Sequence, residues 1–513
     1  MADHEIVDTA SGKIRGIAID GIKVFKGIPY GAPVEGAQRF APPLKPAAWA
    51  GVRDAFEYGP SAMQDDDAFG LAPEIMALIP LRDAVPMGEN CLVLNVWTPA
   101  VNDGRKRPVM FWCHGGAFIS GSGSSPWYDG RKLSKKGDVV VVSINHRLGA
   151  LGYLYLEELG GHEFDSSGNA GMLDIVAALE WVRDNIAAFG GDPANVTIFG
   201  ESGGGAKVSV LMAMPAARGL FHKAIIQSGP AVEMMSRADA TATARDILTE
   251  LGLDASKVGE LRRVSADQLL KAQIAVLKKN GLMSFANRRR SGFNPVIDGK
   301  NLPAGPFEPV APEIASQVPL MIGTNKDEMT LFFGLAPWID GMDAATLRER
   351  VRVFVGAERC DAILERYQRA RPKDSTRDLM LAIATDLGVR IPSLQMAERK
   401  AAQHGAPVFV YLFTWETSVL AGRLKSPHAL EIPFVFDTFE SAPITGNSST
   451  RFALADKMSR TWLAFARSGN PNNPAIPQWP AYSAAERPTM IFDDQCSVIN
   501  DPYREERMAW SGQ

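Results

Sequence analysis

Cysteine is scarce in this chain. Four occur in 513 residues, Cys91, Cys113, Cys360 and Cys496, with no CxxC spacing and no Cys/His cluster. That excludes the common zinc-binding patterns and a small disulfide-stapled fold. Long apolar runs are missing as well. Stretches such as Val139 to Val142 are strand-sized, far below the ~18 residues that span a bilayer, so no membrane partner is expected. Charge of one sign is also absent: 54 Lys and Arg stand against 58 Asp and Glu, a net charge of -4. Nothing here makes a basic field for nucleic acid, and small neutral substrates fit best. The first residues, Met1 to Glu5, lack the basic and apolar regions of a secretory signal. Together with scattered cysteines, this predicts a reduced, cytoplasmic setting. Internal repeats and low-complexity segments are not found. The run Arg288-Arg289-Arg290 is expected to be a solvated surface stretch.

What is present is an alternation of β-rich and helical runs. Lys13 to Phe25 carries Asp20-Gly21 between two partly alternating stretches, a hairpin signal. Leu92–Trp97, Val109–Trp112, Val139–Ile144, Thr197–Phe199, Ala224–Gln227, Leu320–Ile322 and Val408–Phe413 read as strands. Several are almost wholly apolar, as strands covered on both faces must be. Met172 to Phe189 places Leu173, Val176, Leu179, Val182 and Ile186 near a helical period. Residues 59–88 read as irregular loop with a short helix. The pattern predicts an α/β fold with a large, mostly parallel sheet wrapped by helices. The whole of 1–513 is expected to form one domain, with helical insertions near 230–290 and 331–405 walling a substrate pocket.

One segment concentrates chemistry. Thr197-Ile198-Phe199 runs into Gly200-Glu201-Ser202-Gly203-Gly204, a G-x-S-x-G match set between an apolar strand and a helix. A serine on so tight a turn has its hydroxyl lifted from the sheet, and the helix N-terminus behind it favours the negative charge that develops on attack. Upstream, Val109 to Cys113 leads into His114-Gly115-Gly116-Ala117-Phe118. Such a loop aims backbone N–H groups at a substrate oxygen, and Gly203 can add its own.

A serine nucleophile needs a base. Of seven histidines, only His404 and His428 follow it at sufficient distance for the Ser, acid, His chain order, and His428 is better placed. His4 is expected in a mobile terminus, His162 in a polar loop, and His222 and His404 at surface or helix ends. The orienting acid is expected after the strand Leu320 to Ile322, where Asp327 and Glu328 are adjacent; the pattern alone leaves both open.

At this point the chain resembles the type-B carboxylesterases, relatives of cholinesterases and bacterial para-nitrobenzyl esterases. The likeness runs through Phe25 to Tyr30, Glu89 to Leu92, the His114 to Phe118 loop, Phe189 to Pro193, the elbow, Gln227-Ser228-Gly229 and Gly323 to Glu328. The resemblance implies the α/β-hydrolase fold and an ester hydrolase working without cofactor or metal. It implies Ser202 as nucleophile, His428 as base and Glu328 as acid. Gly116, Ala117 and Gly203 would form the oxyanion hole, with Glu201 and Ser228 behind them. Arg39 with Glu89 and Arg147 with Asp174 match structural ion pairs. Departures are Ala117 in place of a third loop glycine, Gly203 where alanine is usual, which predicts a looser oxyanion hole, and a missing partner for Cys91, which would be a free thiol. The same triad would serve an amidase, a carbamate hydrolase or a lipase, and a non-catalytic binding relative would lack it. Segments around Phe293, Leu331 to Trp338 and Trp415 to Leu424 are expected to line the pocket. Oligomeric state is left open.

Overall fold

The computed structural model describes residues 4–80, 85–281 and 292–511; the Arg288-Arg289-Arg290 run lies outside them. Thirteen strands occur among the described residues, all in one sheet. They are β1 (His4–Thr9), β2 (Gly12–Ile19), β3 (Ile22–Pro29), β4 (Val52–Asp54), β5 (Val93–Thr98), β6 (Arg107–Cys113), β7 (Val140–Ile144), β8 (Gly191–Glu201), β9 (Lys223–Gln227), β10 (Leu320–Asn325), β11 (Val408–Phe413), β12 (Pro488–Phe492) and β13 (Ser497–Asn500). The order is β1-β2-β3-β5-β7-β6-β8-β9-β10-β11-β12-β13, with β4 beside β2. From β7 to β12 neighbouring strands run parallel. Toward both edges the pairs turn antiparallel, apart from β4, which runs parallel to β2.

The period of two explains why these segments are strands. In β6, Val109, Phe111 and Cys113 enter one core layer, and Met110 and Trp112 enter the other. In β11, Val408 and Val410 face the first layer while Phe409, Tyr411 and Phe413 face the second. The helices Ala170–Asn185, Gly203–Leu211 and Ile391–Ala401 cover the first face, with Arg237–Glu250 and Ala266–Asn280 extending the same core outward, and Thr450–Ser468 covers the second. Helices Ala344–Val355, Ala357–Ala370 and Thr376–Thr385 build a separate core that includes Trp510. The Asp20-Gly21 hairpin forms, with φ of 52° and 83° at its two central residues. His4, expected in a mobile terminus, instead opens β1 opposite Ile17. The expected helix from Met172 begins two residues earlier and turns to a 3₁₀ segment at Ile186–Phe189.

Two ion pairs, one buried and one half-buried, pin loops to this frame. Arg147 Nη2 meets Asp174 Oδ1 at 2.6 Å with both side chains nearly inaccessible. Arg39 holds Glu89 in a two-point contact at 2.5 and 2.7 Å. None of the described helices is long and apolar enough to cross a membrane.

Candidate active site

The carboxyl ends of the parallel strands gather the predicted residues, the edge where open α/β sheets place their ligands. Register does the alignment. Cys113 of β6 pairs with Gly200 of β8, Glu201 with Gln227 of β9, and Gln227 with Gly323 of β10. The segments that follow those strands therefore emerge side by side.

At the end of β8 the chain turns sharply. Ser202 has φ 57° and ψ -124°, outside the regions where L-residues rest. The Ser202 N–H donates to Gln227 O at 2.8 Å, and its carbonyl accepts from Ala206 N at 3.0 Å, which fixes the turn between strand and helix. Gly204 must be glycine here: a Cβ would lie 2.0 Å from Cys113 O. Such a turn stores strain at a functional position.

His428 lies in the loop after β11. Its Nδ1 is 2.6 Å from Glu328 Oε2, and its backbone N–H donates to Glu328 O. Glu328 is fully buried, and its other oxygen accepts from Asn325 N at 2.7 Å. Asp327 turns away to Lys326 and the Ser426 N–H, so of the two adjacent acids Glu328 is the one on the imidazole. His428 Nε2 is 3.1 Å from Glu201 Oε1, without the alignment of a hydrogen bond. Among the described residues, no hydrogen bond joins Ser202 Oγ to His428; the two share one cavity wall.

Three buried carboxyl groups thus surround this histidine. The third, Glu431, was not singled out from sequence, although it stands three residues past His428. It accepts from Gln227 Nε2 at 3.0 Å and Asn325 Nδ2 at 2.7 Å, and Asn325 also donates to Pro427 O. Burial works against charge on His428, but Glu201 and Glu328 outweigh it and raise its pKa to about 9. Burial raises Glu201 well above the usual carboxylate range, opposed by the imidazolium.

The loop after β6 closes the other side. Gly116 and Ala117 take φ of 86° and 50°. Ala117 packs directly on Gly203, where a Cβ would lie 2.2 Å from Ala117 O. Gly203 was expected to leave loose space; loop backbone occupies the space that an alanine methyl would need. His114 stacks on His146 with ring centroids 5.0 Å apart. Burial, with Lys207 nearby, drops the His114 pKa to about 3. Ser228 follows β9 with φ 49°, and among the described residues its buried hydroxyl has no hydrogen-bond partner.

Between these elements lies a cavity of about 280 Å³, bordered by Ser202, His428, Glu201 and Ser228. Most of its other lining is apolar: Phe69, Leu71, Trp127, Tyr128, Leu331 and Phe332 are examples. Of the expected lining segments, Leu331 and Phe332 contribute. Phe293 and Trp415 are buried in the core instead. The 59–88 stretch, expected as irregular loop with a short helix, forms a short helix at Pro73–Met76, and Phe69, Leu71, Ile79 and Pro80 border the cavity.

Comparison with known proteins decides the relationship. The family model described as "Carboxylesterase family" matches residues 3–510. The chain belongs to the carboxylesterase family. It is a carboxylic ester hydrolase of the α/β-hydrolase fold. The esterase is 38% identical to the para-nitrobenzyl esterase of Bacillus subtilis (strain 168), over 98% of both chains. It is 32% identical to the phenmedipham hydrolase of Pseudarthrobacter oxydans, over 99% of both. Among solved structures it is similar to a carboxylesterase of Geobacillus stearothermophilus, with 40% identity, a TM-score of 0.86, and coverage of 99% of the esterase and 100% of that chain.

Proposed function

We propose that the esterase hydrolyses small, uncharged carboxylic esters through an acyl-enzyme on Ser202, with His428 as base and Glu328 as the acid that orients it. The observation that carries this reading is the 2.6 Å contact between His428 Nδ1 and fully buried Glu328, beside a strained serine in the same cavity. Ser202 Oγ attacks the ester carbonyl as His428 Nε2 takes its proton. The N–H groups of Gly116, Ala117 and Gly203 hold the oxyanion. His428 then protonates the leaving alcohol, and water activated by the same imidazole releases the acid. Glu201 and Ser228 sit behind this centre; Glu201 faces Nε2 and stabilises the imidazolium. The chain works as one catalytic unit without metal or cofactor, its helical insertions supplying part of the pocket wall.

The apolar lining supports an uncharged ester, since among the described residues no Lys or Arg borders the cavity to hold an anion. Four free thiols, three of them buried, support a reducing compartment such as the cytoplasm. Steady-state hydrolysis of para-nitrophenyl acetate, butyrate and octanoate tests the proposal. Turnover of the short esters supports it. Absence of turnover, together with no labelling of Ser202 by an organophosphate, would overturn it.

A further inference from the structure

Lys207 stands on the helix that follows the nucleophile, and its side chain is fully buried. A lysine is rarely placed there, because desolvating an ammonium costs several kcal/mol, on the order of what only good partners offset. Its partners are specific. The Nζ group donates to His114 O at 2.9 Å and to Ala117 O at 2.8 Å. It also lies 5.3 Å from the Phe118 ring centroid. The two carbonyls belong to the peptide units joining residues 114–115 and 117–118. The two units between them, 115–116 and 116–117, carry the N–H groups of Gly116 and Ala117.

The grip therefore falls on either side of the proposed oxyanion donors. Ala117 needs such a hold, since its φ of 50° is unfavourable for an L-residue. Gly203 completes the arrangement. The same Ala117 oxygen that accepts from Lys207 would lie 2.2 Å from a Cβ at position 203. The glycine leaves the gap into which the loop is drawn. Burial lowers the Lys207 pKa to about 7, offset in part by Cys113 and Glu201; charged or neutral, the amine can donate to both carbonyls.

We infer that Lys207 is a positioning residue of the oxyanion hole, clamping the His114–Ala117 loop onto the gap left by Gly203. The inference rests on the oxyanion assignment of the preceding section. It is tested with Lys207→Met, Lys207→Gln, Gly203→Ala and the Lys207→Met/Gly203→Ala double variant. The readouts are kcat and KM for para-nitrophenyl butyrate, Ki for a trifluoromethyl ketone that forms a tetrahedral adduct, and Tm.

Loss of one oxyanion donor typically costs about 10²–10³ in kcat, so a misaligned loop in Lys207→Met is expected to cost roughly ten- to a hundredfold. KM should stay within about twofold, because ground-state binding does not use the hole. The Ki for the ketone should rise by the same factor as kcat falls. Lys207→Gln, which still donates, should recover part of the loss. Gly203→Ala should lower kcat alone, yet the double variant should be no worse than the poorer single variant, because a released loop can retreat from the added methyl. Wild-type kcat and ketone affinity in Lys207→Met, or losses that multiply in the double variant, would overturn the inference. If Lys207→Met does not fold, Lys207→Gln alone and with Gly203→Ala decides by the same criteria. Activity surviving in Ser202→Ala would instead overturn the underlying assignment, so the two failures are distinct.

Discussion

His428 is held between Glu328 on Nδ1 and Glu201 near Nε2, and these unequal contacts assign different work to the two acids. The short contact with Glu328 sets tautomer and orientation. Glu201 contributes charge, and it is the largest of the influences that raise the His428 pKa to about 9. In the proposed mechanism His428 acts as the neutral imidazole, so kcat/KM should rise with pH as the proton is lost, with its acidic limb near that value in the free enzyme. Glu201→Gln removes one carboxylate and should move the limb to lower pH. A pH–rate profile of the two proteins checks this; a limb that stays in place or moves upward would deny Glu201 that influence. Ser202 and His428 were legible as residues because their chain order and local context are distinctive. Asp327 and Glu328 were not separable from spacing, since adjacent side chains differ only in where the loop turns them. Lys207 gave no signal: a lysine following a small-residue turn reads as a solvated helix residue until burial is known.

The elements that carry these residues are strands whose ends are level. The elbow depends on β6, β8 and the helix Gly203–Leu211 meeting without side chains between them, as Gly204 against Cys113 O shows. Gly204→Ala should force helix and strand apart, costing roughly 1–3 kcal/mol and a larger share of activity, read by Tm and kcat. Unchanged values for both would mean that the contact is slack. Deeper in the frame, Asp174 neutralises Arg147 where neither reaches water. Asp174→Asn leaves a buried guanidinium unpaired and should cost about 3–5 kcal/mol, seen as a lower denaturation midpoint. The central strands were visible as apolar runs because both of their faces are covered. The lining by Phe69, Leu71, Ile79 and Pro80 was not, because an irregular stretch has no period to show which of its many apolar side chains turn inward.

At the scale of the whole molecule, one sheet with helical layers brings seven chain segments to a cavity that, among the described residues, no Lys or Arg borders. The lack of charge of one sign in the sequence and the apolar lining of the site point to the same substrates. Among the described lining residues an acyl group bearing a carboxylate would meet no Lys or Arg, at a cost of about 3 kcal/mol or more. The neutral butyrate ester should therefore exceed the hemisuccinate ester of the same phenol by about 10² in kcat/KM, by the usual conversion of free energy to rate. Comparable values would show that a cation reaches the site. The most direct test of the whole account is the kcat/KM of Ser202→Ala for para-nitrophenyl butyrate. The account predicts a fall of at least about 10³-fold with the fold intact, since a triad without its nucleophile keeps only what the oxyanion hole and binding supply. A Ser202→Ala protein that keeps wild-type turnover would contradict it.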